Sequence, residues 1–95
     1  MRFTNHNNGV STTANQQLSA LFHYNGVFLS EVRRDAPGPR GLIFCHTDPE
    51  CEALELEQRF FEPDGDYVTS ARELFRADRE VRQAVRRFLD SERQT

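Results

Sequence analysis

Ser70-Ala-Arg-Glu-Leu-Phe-Arg-Ala-Asp-Arg-Glu-Val-Arg-Gln-Ala-Val-Arg-Arg-Phe-Leu-Asp-Ser-Glu-Arg93 is the stretch that organises this chain. Ser70 with Glu73 three residues later makes a capping box, so the spacing predicts a helix that starts there. At 100° per residue, Ala71, Leu74, Ala77, Val81, Ala84, Val85, Phe88 and Leu89 share one side. Arg72, Arg76, Arg79, Arg82, Arg86, Arg87 and Arg93 share the other, with Phe75 among them. The apolar side needs a partner layer. The arginines need an answering charge, inside the molecule or outside it.

Immediately upstream lies the opposite charge. Residues 48–66 carry eight acids against Arg59 alone, whereas the net charge of the whole chain is −3. Asp48-Pro49 reads as a helix start: Asp48 caps, Pro49 suits the first helical position, and acids follow in the first turn. The predicted helix runs to about Phe61. Leu54, Phe60 and Phe61, with Ala53 and Leu56, form its expected buried side. Glu50, Glu52, Glu55 and Glu57 form an acidic surface that Asp64 and Asp66 extend, and Glu62-Pro-Asp-Gly-Asp66 breaks the helix. Antiparallel docking of these two helices would set acids beside arginines. Pairs within the last helix, Asp78 with Arg82 and Asp90 with Arg86, would answer others.

Further upstream the pattern changes period. Leu42–His46 is apolar throughout, as a central strand is, and Val27–Arg34 reads as its hairpin partner. Asp35-Ala-Pro-Gly-Pro-Arg-Gly41 is the stiff loop between them. Thr13–Asn25 reads as a first helix, with Thr13 and Gln16 as a capping box. Leu18, Leu21 and Phe22 are its apolar face, and Gly26 is its stop. Residues 1–12 read as a polar arm or one short strand. An isolated hairpin is marginal in water, so a third strand is expected from this arm or from a second copy of the chain. The expected fold is α+β: one domain over 13–93, helix, β-hairpin, helix, helix, with a short N-terminal strand as an option.

Composition narrows the function classes. Leu, Ile, Val and Phe sum to 23 of 95 residues, enough for a thin core rather than a disordered chain. The two cysteines suggest no disulfide framework. No apolar run of signal-peptide kind opens the chain, and no segment reaches membrane-spanning length. The expectation is a small cytoplasmic protein without membrane contact. All twelve basic residues are arginine, whose planar fork suits carboxylates and phosphates.

The arginine face, Arg72, Phe75, Arg76, Arg79, Arg82, Arg86 and Arg87, is the leading candidate for partner binding. Arginines could grip phosphates while Phe75 stacks on a base, or they could meet a protein surface. Asp64-Gly65-Asp66 lacks the glutamate that would complete a calcium loop, since the twelfth residue from Asp64 is Phe75. Cys45, His46 and Cys51 have metal-ligand chemistry but not zinc spacing. Cys45 with His23, or Cys51 with His46, lies in no nucleophile motif, and no Gly-rich phosphate loop is present. No cofactor, metal site or catalytic residue is expected.

Ala20-Leu21-Phe22 leading to Gly26, the strand ending in Phe44, the Asp48-Pro49 start, Phe60 and the Ala71…Leu74-Phe75 opening together resemble a family of short bacterial and phage-associated domains of unknown function. That resemblance covers about four-fifths of the chain and brings no active site with it. By analogy it implies an inhibitor or adaptor of host machinery, anti-CRISPR and other anti-defence proteins included. The expectation is a non-catalytic interaction protein that binds a protein or nucleoprotein complex through charged helices. The alternative is a small nucleic-acid-binding regulator that uses the arginine face.

Overall fold

In the computed structural model, the described residues are 3–38, 41–61 and 71–93, with the side chains of 71–75 excluded. They form a two-layer α+β domain of three helices and a four-stranded antiparallel sheet. The strands are β1 (Thr4–Asn7), β2 (Val10–Thr13), β3 (Leu29–Arg34) and β4 (Leu42–Thr47), in the order β1-β2-β4-β3. The helices are α1 (Gln16–Tyr24), α2 (Glu52–Phe61) and α3 (Ala71–Arg93).

The arm of the sequence reading is a hairpin that supplies two strands. Asn8 and Gly9 both take positive φ, 51° and 77°, as the two-residue turn that matches strand twist requires. The Gly9 carbonyl also accepts a hydrogen bond from the Asp48 N–H at 2.8 Å, tying this turn to the end of β4. Because β2 pairs with β4, residues 4–13 of this arm are integral to the sheet. Thr13 belongs to β2 and does not cap α1. Its hydroxyl donates to the Phe3 carbonyl at 3.0 Å and accepts the Asn15 N–H at 3.1 Å. Asn15 is the cap, its side chain accepting from the Leu18 N–H at 3.1 Å.

Gly26 does terminate α1 at positive φ, 88°. The Val27 N–H reaches back to the Phe22 carbonyl at 2.9 Å and closes the last turn. β3 starts two residues later than its apolar run suggests. β4 is central, flanked by β2 and β3. The loop between β3 and β4 closes tightly: a Cβ on Gly41 would lie 1.7 Å from the Ala36 carbonyl oxygen, so only glycine fits.

All three helices lie on one face of the sheet. α2 packs on β1, α1 crosses β4 and β2, and α3 packs on α1 and β3. α1 is therefore the shared support. Leu18, Leu21 and Phe22 meet Val27 and Ala53 in one cluster. Ala20 meets Val32, Leu42, Phe44 and Val81 in the other. Ala77 and Val81 of α3 are buried, and Ala84, Val85 and Phe88 pack half-buried against this second cluster. Ala77, Val81, Ala84, Val85 and Phe88 thus lie inward as the periodicity predicts, although Phe88 is not fully enclosed and Leu89 joins neither cluster. Leu74 lies outside the described side chains.

α2 departs from its expected orientation in two ways. It begins at Glu52, because Asp48, Pro49, Glu50 and Cys51 form a turn closed by the Cys51 N–H on the Asp48 carbonyl at 3.2 Å. Its buried residues are Ala53 and Glu57, whereas Phe60 and Phe61 are 43% and 52% exposed. The strand beneath α2 has only four residues. In the last helical turn Phe61 lies against Phe3, just ahead of β1, and Phe60 packs edge-on to Phe61.

Candidate interaction surface

The candidate surface is the outward side of α3, a 23-residue helix about 34 Å long. Among the described residues its polar contacts include one at each flank and one within itself. His23 at the end of α1 accepts the Leu29 N–H on Nδ1 at 3.2 Å. Its Nε2 therefore carries the hydrogen and donates to the Glu80 carboxylate. Arg34 on β3 grips Glu92 with two parallel bonds, Nε to Oε2 at 2.7 Å and Nη2 to Oε1 at 2.8 Å. The same guanidinium caps the loop through the Ala36 and Gly38 carbonyls at 3.1 and 2.8 Å. Arg34 holds the Glu92 carboxyl below the usual glutamate range, and Glu92 in turn raises Arg34. Arg82 pairs with Asp78 one turn before it at 2.8 Å, as the spacing predicts.

These contacts engage Asp78, Glu80 and Glu92 but leave most of the arginines of α3. Arg76, Arg79, Arg86, Arg87 and Arg93 are exposed, and among the described residues none of them forms an ion pair. Among those residues the ion pairs of α3 go to itself, to α1 and to β3, and none goes to α2. Among the described residues the expected docking of acidic α2 against α3 is not formed: α1 packs against both helices and lies between them. The expected pair of Asp90 with Arg86 is likewise not formed. The side chains of Arg72 and Phe75 lie outside the described residues, as do Asp64 and Asp66.

The acidic candidates separate into two groups. Glu50, Glu52 and Glu55 are exposed, and Glu55 pairs with Arg59 on the next turn at 2.7 Å. Glu57 is only 5% exposed and belongs to the interior. Its Oε1 accepts from the Phe3 N–H at 2.9 Å and from the Thr4 hydroxyl at 3.1 Å, clamping α2 to β1. Helical periodicity alone does not distinguish these roles, since it contains no record of which side faces the sheet.

Two further polar centres are buried. Asp48 receives the Glu52 and Ala53 N–H groups at 2.8 and 3.0 Å and the Ser11 hydroxyl at 2.6 Å. Ser11 in turn accepts from His6 Nδ1 at 2.9 Å. Burial pushes the Asp48 carboxyl up, but Ser11, the two backbone donors and His6 outweigh it and hold the group below the usual aspartate range. This cluster places the serine between imidazole and carboxylate with its proton already committed to Asp48. It braces the first turn of α2. His46 is fully enclosed. Its Nδ1–H donates to the Val27 carbonyl at 2.7 Å, and its Nε2 accepts the Ser19 hydroxyl at 2.7 Å. Burial pushes this imidazole below its ordinary value, against the opposing pull of the Val27 carbonyl.

The same geometry separates the cysteine and histidine candidates. Cys45 and His46 are successive residues of β4, so they point to opposite faces of the sheet. Cys45 faces the side away from the helices, where Arg33 Nε donates to its sulfur at 3.2 Å. His46 faces the helices with both nitrogens engaged by Ser19 and the Val27 carbonyl. His23 has both nitrogens occupied as well. Among the described residues, no three His, Cys, Asp or Glu side chains are placed to share a metal ion. No helix among them is long and apolar enough to cross a membrane.

Sequence reasoning misses the Arg34–Glu92 fork, the His23–Glu80 contact and the aromatic cluster of Phe3, Phe60 and Phe61. All three join residues more than fifty positions apart, beyond the reach of local spacing. Only the N-terminal hairpin had a local signal, Asn8-Gly9. Comparison of the chain with known protein families, curated proteins and solved structures finds no match.

Proposed function

We propose that this chain is a non-catalytic interaction protein of adaptor or inhibitor type. Its α3 arginine face docks on an anionic region of a protein or nucleoprotein partner. One observation supports this reading above the others: five exposed arginines on a single helix face have no ion-pair partner among the described residues, although the chain as a whole carries an acidic excess. Guanidinium groups held on a rigid helix lose less freedom on binding than groups on a loop.

The test is charge reversal. The triple variant Arg76→Glu, Arg79→Glu, Arg86→Glu should lose at least tenfold in affinity for poly-glutamate or for a short DNA duplex, whichever the wild type binds. Each single replacement by alanine should leave folding stability within about 0.5 kcal/mol. Unchanged binding by the triple variant would sink the reading. A nucleic-acid partner is the second reading, favoured by the alignment of Arg79, Arg86 and Arg93 at seven-residue intervals along one side. It requires an affinity that falls linearly with log salt. A duplex that does not bind even at low salt rules it out.

A further inference from the structure

We infer that the flank of α3 around Val85 and Leu89 receives an acidic amphipathic helix of a partner protein. This rests on α3 being the docking element and specifies what docks there. Val85 and Leu89 are half-buried one turn apart, and they floor a shallow open depression walled by Arg82, Arg86, Asp90 and Arg93. Among the described residues, this depression is lined by α3 alone.

Apolar floor and cationic wall together select the ligand. Arg82, Arg86, Leu89 and Arg93 recur at i, i+4, i+7 and i+11, the spacing at which one helix presents a seam to another. A partner helix with acids at matching positions would meet the arginines. One apolar side chain between those acids would cover Val85 and Leu89 and raise the strength of the charge pairs by excluding water. Nucleic acid fits this flank less well. A phosphate backbone has no use for an aliphatic floor, and Asp90 in the wall repels phosphate while accepting a partner's basic side chain. A second copy of this flank is disfavoured too, since it would set arginine against arginine.

Fluorescence anisotropy with defined probes separates the outcomes. The probe is a synthetic helical peptide of Glu/Leu heptads with alanine elsewhere, compared with the same peptide carrying Ser for every Leu. Poly-glutamate and a DNA duplex complete the set. Wild-type protein should bind the Glu/Leu peptide at least tenfold tighter than the Glu/Ser peptide. Leu89→Ser should abolish that preference while leaving poly-glutamate binding within twofold, and Arg86→Glu should weaken binding of both peptides. Equal affinity of the wild type for the two peptides, or preference for the duplex, overturns this inference and leaves the docking role of α3 standing. Failure of every anionic probe to bind refutes both.

Discussion

α2 and α3 are both amphipathic, both charged and both laid on the same face of the sheet, yet they use their charges in opposite directions. α2 turns Glu57 inward to clamp β1, and its first turn is braced by buried Asp48. α3 keeps Ala77 and Val81 inside and, among the described side chains, leaves Arg76, Arg79, Arg82, Arg86, Arg87 and Arg93 outside. α1 stands between them and denies each the other's charge. A charge counted in the sequence is thus not a surface charge until the neighbouring layer is known. Glutamate in α2 is partly a structural hydrogen-bond acceptor, whereas most of the arginine in α3 is exposed and, among the described residues, without an ion pair.

The comparison breaks first at α1. Phe22 is fully buried at the centre of the α1–α2 cluster, with its ring edge-on to His46 at 5.5 Å. Phe22→Ala should cost about 3–5 kcal/mol in urea denaturation, and hydrogen exchange should speed up in α2 and α3 together. Loss of protection in one helix alone would show that α1 is not their common support.

The contrast within α2 is sharper. Glu57→Ala leaves the Phe3 N–H and Thr4 hydroxyl unpaired and should cost about 1–3 kcal/mol. Glu55→Ala removes only an exposed pair with Arg59 and should stay within about 0.5 kcal/mol. Equal costs would erase the distinction between inward and outward acids.

A smaller effect is expected from acid. The folded state lowers the pKa of His46, so the unfolded chain takes up the proton first. Stability is then full above the unfolded value of about 6.5 and falls as pH drops below it. For one proton the slope cannot exceed about 1.4 kcal/mol per pH unit. His46→Gln should flatten the profile between pH 7.5 and 5.5, at some cost to stability at the upper end. If wild type and variant lose stability in parallel, His46 is not the responsible group.

Legibility followed the type of core beneath each element. Where the core is apolar, periodicity was sufficient: the buried side of α3, central β4 and the Gly26 stop of α1 all read correctly. Where the core is hydrogen-bonded, it was not. β1 and β2 face the helices with Thr4, His6, Ser11 and Thr13, whose partners are Glu57, Asp48 and backbone groups. Such strands lack an apolar alternation and read as a polar arm, despite the turn signal of Asn8-Gly9. Phe60 and Phe61 failed in the other direction, since apolar residues near the end of a helix are buried only if something lies under that end.

By itself the sequence determined that α3 is a two-faced helix, because the 100° step places each residue on its own helix from local geometry alone. It also determined that arginine crowds one of those faces. Only the tertiary structure decided that the acids of α2 would not neutralise that crowding. Which helix lies beside which depends on how strands far apart in sequence pair, and the β1-β2-β4-β3 order carries α2 to one edge of the sheet and α3 to the other.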